Sequence, residues 1–335
     1  MKQLWATLLA VWLCCLAAAQ APEAKPLKLL QTIPMPGVEG RMDHMTVDVA
    51  GKRLMLSALA SDSVEVLDLA SGKELGRLSV KEPSGIVYVP EYKAIFVSSE
   101  GDNAVQIFDG DSYKLVQTVE KLKHADNLRF EARTRRVYVG YGDDATDSGL
   151  GIIDGEYRTA IGEIPLEAHP ESFSVERSGG SRRIYINVPD AGHIAVVDSG
   201  RRRVMAKWTL PGVREFYPMA LDEAGGRLFI GSRNPPKLVV LDTKSGEIVA
   251  KVDGPADADD LFYDPARKRL YMTGGEGVVV VYQQQDPDHY QQIARITTAR
   301  GAKTSLFVPE MNRLFVAIPR SGQHPAAIQV YEAQP

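Results

Sequence analysis

The chain has 335 residues, with 39 Lys and Arg against 43 Asp and Glu and a formal net charge of -4 at pH 7. This slight negative charge argues against generic attraction to nucleic acid or to an anionic membrane surface. The only two cysteines of the sequence, Cys14 and Cys15, stand in an apolar N-terminal run. Removal of that run therefore excludes disulfides, thiolate chemistry and cysteine metal ligands.

The N-terminus has the pattern of a secretory signal peptide. Lys2 precedes an apolar run from Leu4 to Leu16, and three alanines follow, ahead of Gln20. This pattern is typical of a signal with an A-x-A cleavage site and is too short for a spanning helix with polar flanks. The sequence predicts a signal peptide over residues 1–19, export to the periplasm or the extracellular space, and no membrane span after cleavage. A retained anchor is the alternative.

A repeated pattern begins at Gly51 and returns six more times. In each copy an apolar strand follows a basic residue, and a second apolar strand comes after a turn and ends on an acid. The first apolar strand opens, at intervals of about 41 to 47 residues, at Leu54, Ile95, Val137, Ile184, Leu228, Leu270 and Leu314. The second strand ends at Asp68, Asp109, Asp154, Asp198 and Asp242, with degenerate copies at Gln283 and Glu332. Short strands repeated at this period are typical of propeller blades.

The sequence thus predicts an all-β fold, a single seven-bladed β-propeller over residues 20–335 made of four-stranded antiparallel blades. The predicted blades cover residues 41–80, 81–120, 121–165, 166–211, 212–254, 255–298, and 299–332 together with 27–34. Six repeats contain four strands, whereas the seventh stops after three, and an unmatched strand from Leu27 to Pro34 precedes the first repeat. Because an open ring would leave an edge strand unpaired, we expect the N-terminal strand to complete the last blade.

The repeat resembles that of the bacterial YVTN-type β-propeller proteins, also called the YncE-like family. In that family a Tyr-Val-Thr-Asn stretch forms the second strand of each blade. Here its place is taken by Val137-Tyr138-Val139-Gly140, Ile184-Tyr185-Ile186-Asn187 and Leu270-Tyr271-Met272-Thr273. The resemblance covers about residues 27 to 332. It implies the propeller fold but no single activity, because such propellers serve as binding modules, surface proteins and relatives of redox and lactonase enzymes.

The innermost strand of each blade should line the central channel, where propellers meet their ligands. We align the repeats on the residue that ends this strand, namely Asp48, Pro90, Glu131, Glu176, Asp222, Asp264 and Pro309. Polar residues crowd the positions before the strand, and apolar residues such as Met45 and Phe173 follow and predict packing between blades. The candidate ligand-binding residues at this channel mouth are Arg41, Asp43, His44, His124, Asp126, Asn127, His169, Glu171, Ser172, Tyr217, Asp259 and Asp260.

The polar residues of this mouth have two interpretations: they bind a ligand, or they are polar only because they are exposed to solvent. Oxygen ligands favour Ca²⁺ or Mg²⁺, whereas histidines favour a transition metal. The candidate cofactor is therefore a divalent cation, calcium or zinc, and its candidate ligands are His44, Asp126, Glu171 and Asp259. Repulsion among the carboxylates is expected to raise some of their pKa values, unless a cation or Arg41 compensates.

The sequence favours a monomeric, exported, non-enzymatic binding module. Its acidic mouth would bind a cation, a small polar molecule or a segment of another envelope protein, and no nucleic acid. The alternative is a metal-assisted hydrolase of the sugar-lactonase type acting at the same mouth. The Gly-x-Ser-x-Gly elbow, the His-Glu-x-x-His zinc motif and the phosphate-binding loop are all absent from the sequence.

Overall fold

The computed structural model describes residues 25–178, 180 and 182–335, so the predicted signal peptide at residues 1–19 lies outside the described residues. The described chain forms seven four-stranded antiparallel sheets, with four short 3-10 helices at Leu59–Ser61, Pro90–Tyr92, Pro189–Ala191 and Pro309–Met311. This confirms the predicted seven-bladed β-propeller. Within these described ranges, no helix is long and apolar enough to cross a membrane.

Six blades are up-and-down sheets whose four strands follow one another in the chain. The first two blades are β2 (Met45–Asp48), β3 (Arg53–Ala58), β4 (Ser63–Asp68), β5 (Glu74–Ser79), and β6 (Pro83–Val89), β7 (Ala94–Ser99), β8 (Ala104–Asp109), β9 (Leu115–Glu120). The next two are β10 (Leu128–Glu131), β11 (Arg136–Tyr141), β12 (Gly149–Asp154), β13 (Thr159–Pro165), and β14 (Phe173–Val175), β15 (Arg183–Val188), β16 (His193–Asp198), β17 (Arg203–Thr209). The fifth and sixth are β18 (Arg214–Asp222), β19 (Arg227–Asn234), β20 (Pro236–Asp242), β21 (Ile248–Asp253), and β22 (Ala258–Asp264), β23 (Arg269–Gly274), β24 (Val278–Asp286), β25 (His289–Thr297).

The seventh blade closes the ring with both ends of the described chain. It contains β26 (Ser305–Val308), β27 (Arg313–Ile318), β28 (Ala326–Ala333) and, as its fourth strand, β1 (Leu27–Met35). β1 runs antiparallel to β28, from Leu27 opposite Ala333 to Met35 opposite Ala326. The expectation that the N-terminal strand completes the last blade is therefore confirmed.

The hydrophobic core is divided among the interfaces between neighbouring blades. Seven clusters of buried apolar side chains each join two neighbouring blades, as when Ile33 and Ile328 of the seventh blade meet Leu54 and Leu56 of the first. The middle strands are buried on both faces, so β7 (AIFVSS) is buried throughout, whereas the outer β17 (RVMAKWT) alternates between exposed and half-buried residues. Each blade therefore depends on its neighbours for burial.

The acids that end the third strands cap the turns that follow. Asp68 Oδ1 accepts hydrogen bonds from the backbone N–H and the hydroxyl of Ser71, at 2.7 and 2.6 Å. Asp109 makes the same pair of bonds with Ser112, both at 2.7 Å. An Asp side chain that bonds to nearby backbone N–H groups stabilises a tight turn. The repeated acid of the sequence thus has a local structural role.

A second acid, at the end of the innermost strand, ties that strand to the next one. Asp48 Oδ2 accepts from Nη2 of Arg53 at 2.7 Å, and the side chain of Asp48 is 6% exposed. Glu176 makes the equivalent pair with Arg183 and also accepts from the hydroxyl of Tyr185 at 2.6 Å. We call this arrangement the inner clasp. In these two blades it gives the basic residue that begins the second strand a structural role.

Candidate functional site

The innermost strands of the seven blades surround a central channel with a volume of about 1080 Å³. A second, polar pocket of about 50 Å³ adjoins it, and His44, Ser172 and Asp260 line both spaces. Most of the other residues of the small pocket come just before the innermost strands, and Tyr217 and Asp259 lie in the first half of β18 and β22. The pocket therefore lies at the end of the channel where those strands begin. We call this small space the mouth pocket.

Most of the predicted site residues meet in the mouth pocket. Its lining residues are Arg41, Asp43, His44, Asp126, Asn127, Glu171, Ser172, Tyr217, Asp259 and Asp260. Of the remaining two, His169 stands just beside the pocket, with its Nε2 3.9 Å from Oδ2 of Asp126. His124 lies apart from the pocket, because its exposed ring contacts Asp143, with 3.5 Å between Nδ1 and Oδ1.

The blade architecture places these side chains by a repeated backbone contact. The N–H groups of Asp43, Asp126 and Glu171 donate to the carbonyls of Ser57, Gly140 and Asn187, which occupy equivalent positions in the second strands. The same position of successive blades therefore faces the channel at the same height, since each blade repeats the register of the last.

In the second and seventh blades, the sequence alignment placed the end of the innermost strand one residue too late. Pro90 and Pro309 do not end the innermost strand but begin 3-10 helices, and the strands end at Val89 and Val308. Proline is well suited to the first position of a helix, where no backbone donor is needed. With this correction, the position held by Asp43 in the first blade is held by Ser84 in the second and Lys303 in the seventh.

The corrected alignment accounts for two mouth residues that the sequence analysis missed. Ser84 donates from its hydroxyl to Oδ1 of Asp126 at 2.5 Å. Nζ of Lys303 lies 3.5 Å from Oδ2 of Asp259. A third missed residue, Arg233, stands near the end of β19, a strand that the alignment did not compare. Its Nη2 lies 2.5 Å from Oδ1 of Asp259, and its guanidinium lies 4.1 Å from the ring centroid of Tyr217.

Several acids of the mouth pocket are thus neutralised by the protein itself. Asp43 accepts from Nη2 of Arg41 at 2.6 Å, and its other oxygen lies 3.6 Å from Nε2 of His44. Asp126 accepts from Nδ2 of Asn127 at 2.9 Å, in addition to its contacts with Ser84 and the two histidines. The mouth is therefore a mixture of acids and internal cations, rather than the mainly acidic rim that the sequence predicts.

Two acceptors in the pocket have no such partner. Within the described part of the chain, the carboxylate of Glu171 has neither an ion pair nor a side-chain hydrogen bond. Oδ1 of Asn127 is buried without a hydrogen-bond donor, in a side chain whose residue is only 4% exposed. A buried polar atom without a partner is costly, so Oδ1 of Asn127 lacks a donor that a ligand could supply, and the part-exposed carboxylate of Glu171 is a second acceptor beside it.

The pKa values of the pocket separate into two groups. Burial, with a smaller contribution from neighbouring acids, raises the pKa of Asp43 to about 6 and the pKa values of Glu171 and Asp260 to about 7. The expected rise is therefore present, but burial rather than mutual repulsion is its main cause. Burial opposes ionisation of Asp126 as well, yet the nearby imidazoles of His169 and His44, together with the hydroxyl of Ser84, hold its pKa below the ordinary value.

His169 carries the balancing positive charge. Burial lowers its pKa, but the nearby carboxylate of Asp126 outweighs burial and raises the pKa to about 9. Nδ1 of the same ring lies 2.5 Å from the carbonyl oxygen of Gly142. At neutral pH the pocket thus combines a protonated imidazole with a carboxyl, Glu171, that is close to its own pKa.

The four predicted metal ligands, His44, Asp126, Glu171 and Asp259, all line the mouth pocket. Asp126 and Asp259 are already engaged with His, Arg or Lys neighbours, and His44 contacts Asp43 and Asp126. No group of three or more His, Cys, Asp or Glu within the described ranges is arranged to hold a metal ion. A divalent cation would have to compete with these internal cations. The metal site stays a prediction.

The comparisons with known proteins agree on the fold. No protein-family model matches the chain. The uncharacterized protein YncE of Salmonella typhi and that of Salmonella typhimurium are each 23% identical to it over 244 residues, which cover 68% of this chain and 55% of the relative. YncE of Escherichia coli O157:H7 is 27% identical over 159 residues, which cover 45% of this chain and 42% of the relative. The chain thus spans about half the length of these curated relatives, and the resemblance to YncE-like proteins is confirmed.

Among solved structures, the chain is similar to one of hydrazine synthase from Kuenenia stuttgartiensis, with a TM-score of 0.72 and 15% sequence identity. The match covers 84% of this chain and 94% of that chain. At this level of identity the likeness concerns the fold alone.

Proposed function

We propose that the protein is an exported binding module whose mouth pocket takes up the cationic, hydrogen-donating end of a small polar ligand. The proposed export relies on the signal-like sequence of residues 1–19. The binding role relies on one observation: Glu171 and Oδ1 of Asn127 are acceptors without donors in a pocket whose other acids are paired.

A ligand ammonium group fits this arrangement. It supplies several N–H donors and one positive charge, which Glu171 can balance once that carboxyl has lost its proton. Because the pKa of Glu171 is about 7, binding at neutral or lower pH would release a proton from the pocket. A pocket of about 50 Å³ holds a few water molecules or such an end group, so the rest of the ligand would extend outward.

The test measures binding of ethylammonium, with ethanol and acetate as neutral and anionic probes of similar size. We expect ethylammonium to bind with a Kd on the order of millimolar, the range for a ligand of so few atoms, and ethanol and acetate to bind far more weakly. Glu171→Gln should abolish the preference, whereas the exposed turn substitution Glu247→Gln should retain it. Equal binding of all three probes would support the interpretation that the mouth is polar only because it is exposed to solvent.

The metal-binding form of the proposal has a separate test. Calcium or zinc added to the wild type and to the double variant Asp126→Asn with Asp259→Asn should raise the Tm of the wild type only, if a cation binds there. Identical shifts in the two proteins would reject a metal in the mouth pocket and leave the ammonium proposal to its own experiment.

The alternative function is metal-assisted hydrolysis of a lactone, and one observation favours it. Glu171 with a pKa of about 7 stands beside His169 with a pKa of about 9, and a general base works best when its pKa lies near the working pH. Hydrolysis of a sugar lactone, measured with and without added zinc, tests this alternative. Activity that Glu171→Gln removes would favour it over a binding module.

A further inference from the structure

Arg129 lies in the wall of the central channel without a carboxylate partner. Its Nη1 donates to the carbonyl oxygen of Leu128 at 2.8 Å, and its Nη2 lies 3.4 Å from the hydroxyl of Ser172. The guanidinium is 5.6 Å from the ring centroid of Phe173. Among the residues that the structure describes, no Asp or Glu oxygen is within ion-pair distance of it. Since a guanidinium has five N–H donors, some remain for a further acceptor.

The channel around Arg129 is large, and its wall combines apolar and polar side chains. The apolar side chains that are partly exposed at this wall are Val87, Phe130, Val175, Leu221, Phe262 and Leu306. A volume of about 1080 Å³ is at the upper end of the range for small-molecule sites, which are mostly apolar with a few fixed polar groups. Arg129 is such a group, and Arg177 adds a second positive charge to the same lining.

The acids that face the channel do not neutralise Arg129. Glu131 accepts from Arg133 and Thr134, and Glu223 accepts from the backbone N–H groups of Arg177 and Ser178. Asp260 Oδ2 accepts from the backbone N–H of Ser305 at 2.6 Å. The remaining acids of the lining, Glu91 and Glu310, are exposed on the short helices that follow β6 and β26.

We propose that the channel binds an amphiphilic carboxylate, with its apolar body against the channel wall and its carboxylate on Arg129. An Arg guanidinium pairs with a carboxylate through two parallel hydrogen bonds, which is the contact that the protein leaves open here. Burial lowers the pKa of Arg129, and Asp260 and Asp126 oppose this only partly, so a closer anion would stabilise its charge. The proposal does not depend on ligand binding in the mouth pocket.

Isothermal titration calorimetry tests the proposal with decanoate at concentrations below micelle formation. Decanol has the same apolar body without the charge, decylammonium has the opposite charge, and acetate has the charge without the body. We expect decanoate to bind with a negative heat-capacity change, the signature of apolar burial, and to bind at least tenfold more tightly than the other three probes. Equal affinity for decanol, or no binding of decanoate to the wild type, would overturn the proposal.

Two variants identify the position of the carboxylate. Arg129→Gln should weaken decanoate binding roughly tenfold or more, as expected for the loss of charged hydrogen bonds, whereas the exposed Arg201→Gln should leave it unchanged. Ser174→Glu, which places a negative charge on the channel wall, should weaken decanoate binding and leave decanol binding the same. Binding of decanoate that neither channel variant alters would contradict the proposal, and unaltered unfolding curves would show that both variants are folded.

Discussion

Glu171 is the residue whose environment makes the clearest prediction. Its pKa is near 4.5 in the unfolded chain and about 7 in the folded protein, mainly because the carboxyl is buried. Between these values the folded protein binds more protons than the unfolded chain, so this group lowers stability as the pH rises from about 4.5 to about 7. Glu171→Gln should therefore unfold at nearly the same temperature as the wild type at pH 4.5, and at a higher temperature at pH 8.

The expected gain at pH 8 is a few degrees, since a change of 1 kcal/mol shifts the Tm of a large domain by roughly 2 °C. Thermal unfolding by circular dichroism at both pH values measures it. Glu247→Gln, in an exposed turn, is the matched control for loss of one carboxyl. A difference between Glu171→Gln and the wild type that stays constant from pH 4.5 to pH 8 would contradict a buried, protonating Glu171.

Most of the residues that line the mouth pocket could be predicted from the sequence, because equivalent positions of successive repeats face the same channel. Polar residues such as Asp43 and Glu171 could be found by counting back from the innermost strand. Lys303 was missed because a proline was taken for the end of its strand, and Arg233 because it comes from a second strand. The pairing of Arg233 with Asp259 depends on distances between side chains of different blades, which a one-dimensional pattern does not contain.

The inner clasp makes a prediction for the blade as an element. Asp48→Ala would leave Arg53, whose side chain is only 13% exposed, without its carboxylate and would also remove an acceptor from the backbone N–H of Gly51. Breaking a buried ion pair by removal of one partner typically costs about 3 to 5 kcal/mol. We expect urea denaturation of Asp48→Ala to show a loss of that order.

The matched control is Asp68→Ala, which removes an acid of the same repeat from an exposed turn. Its loss of stability should be clearly smaller, because the side chain is exposed to solvent and water replaces its hydrogen bonds. Equal losses for the two variants would mean that the inner clasp adds nothing beyond local turn formation. The contrast therefore separates the two repeated acids, which look alike in the sequence.

The whole ring could be predicted because the number of strands in each repeat can be counted in the sequence. One strand is missing from the last repeat and one extra strand precedes the first, so pairing these ends gives seven blades of four strands each. The charge of the channel could not be predicted in the same way. Arg129 has no carboxylate partner because Asp126 and Asp260, whose charges act on it, bond to groups of other blades, and these contacts exist only when neighbouring blades pack together.

Closure by β1 leads to a prediction for the molecule as a whole. Removal of residues 27–35 would expose the edge of β28 and uncover Ile328, which packs in one cluster with Ile33. Because neighbouring blades share their cores, we expect this deletion variant to lose cooperative unfolding and to aggregate. Size-exclusion chromatography and thermal unfolding measure both effects.

A circular permutant supplies the control. Leu27 lies opposite Ala333, so residues 27–35 can be moved behind Pro335 through a turn of about two to five residues, with the new chain beginning at residue 36. The permutant has the same strands and the same closed ring, with the last blade now continuous in sequence. It should elute at the wild-type volume in size-exclusion chromatography and unfold cooperatively near the wild-type Tm. A deletion variant with the wild-type elution volume and Tm would show that pairing of the chain ends is dispensable, whatever the permutant does.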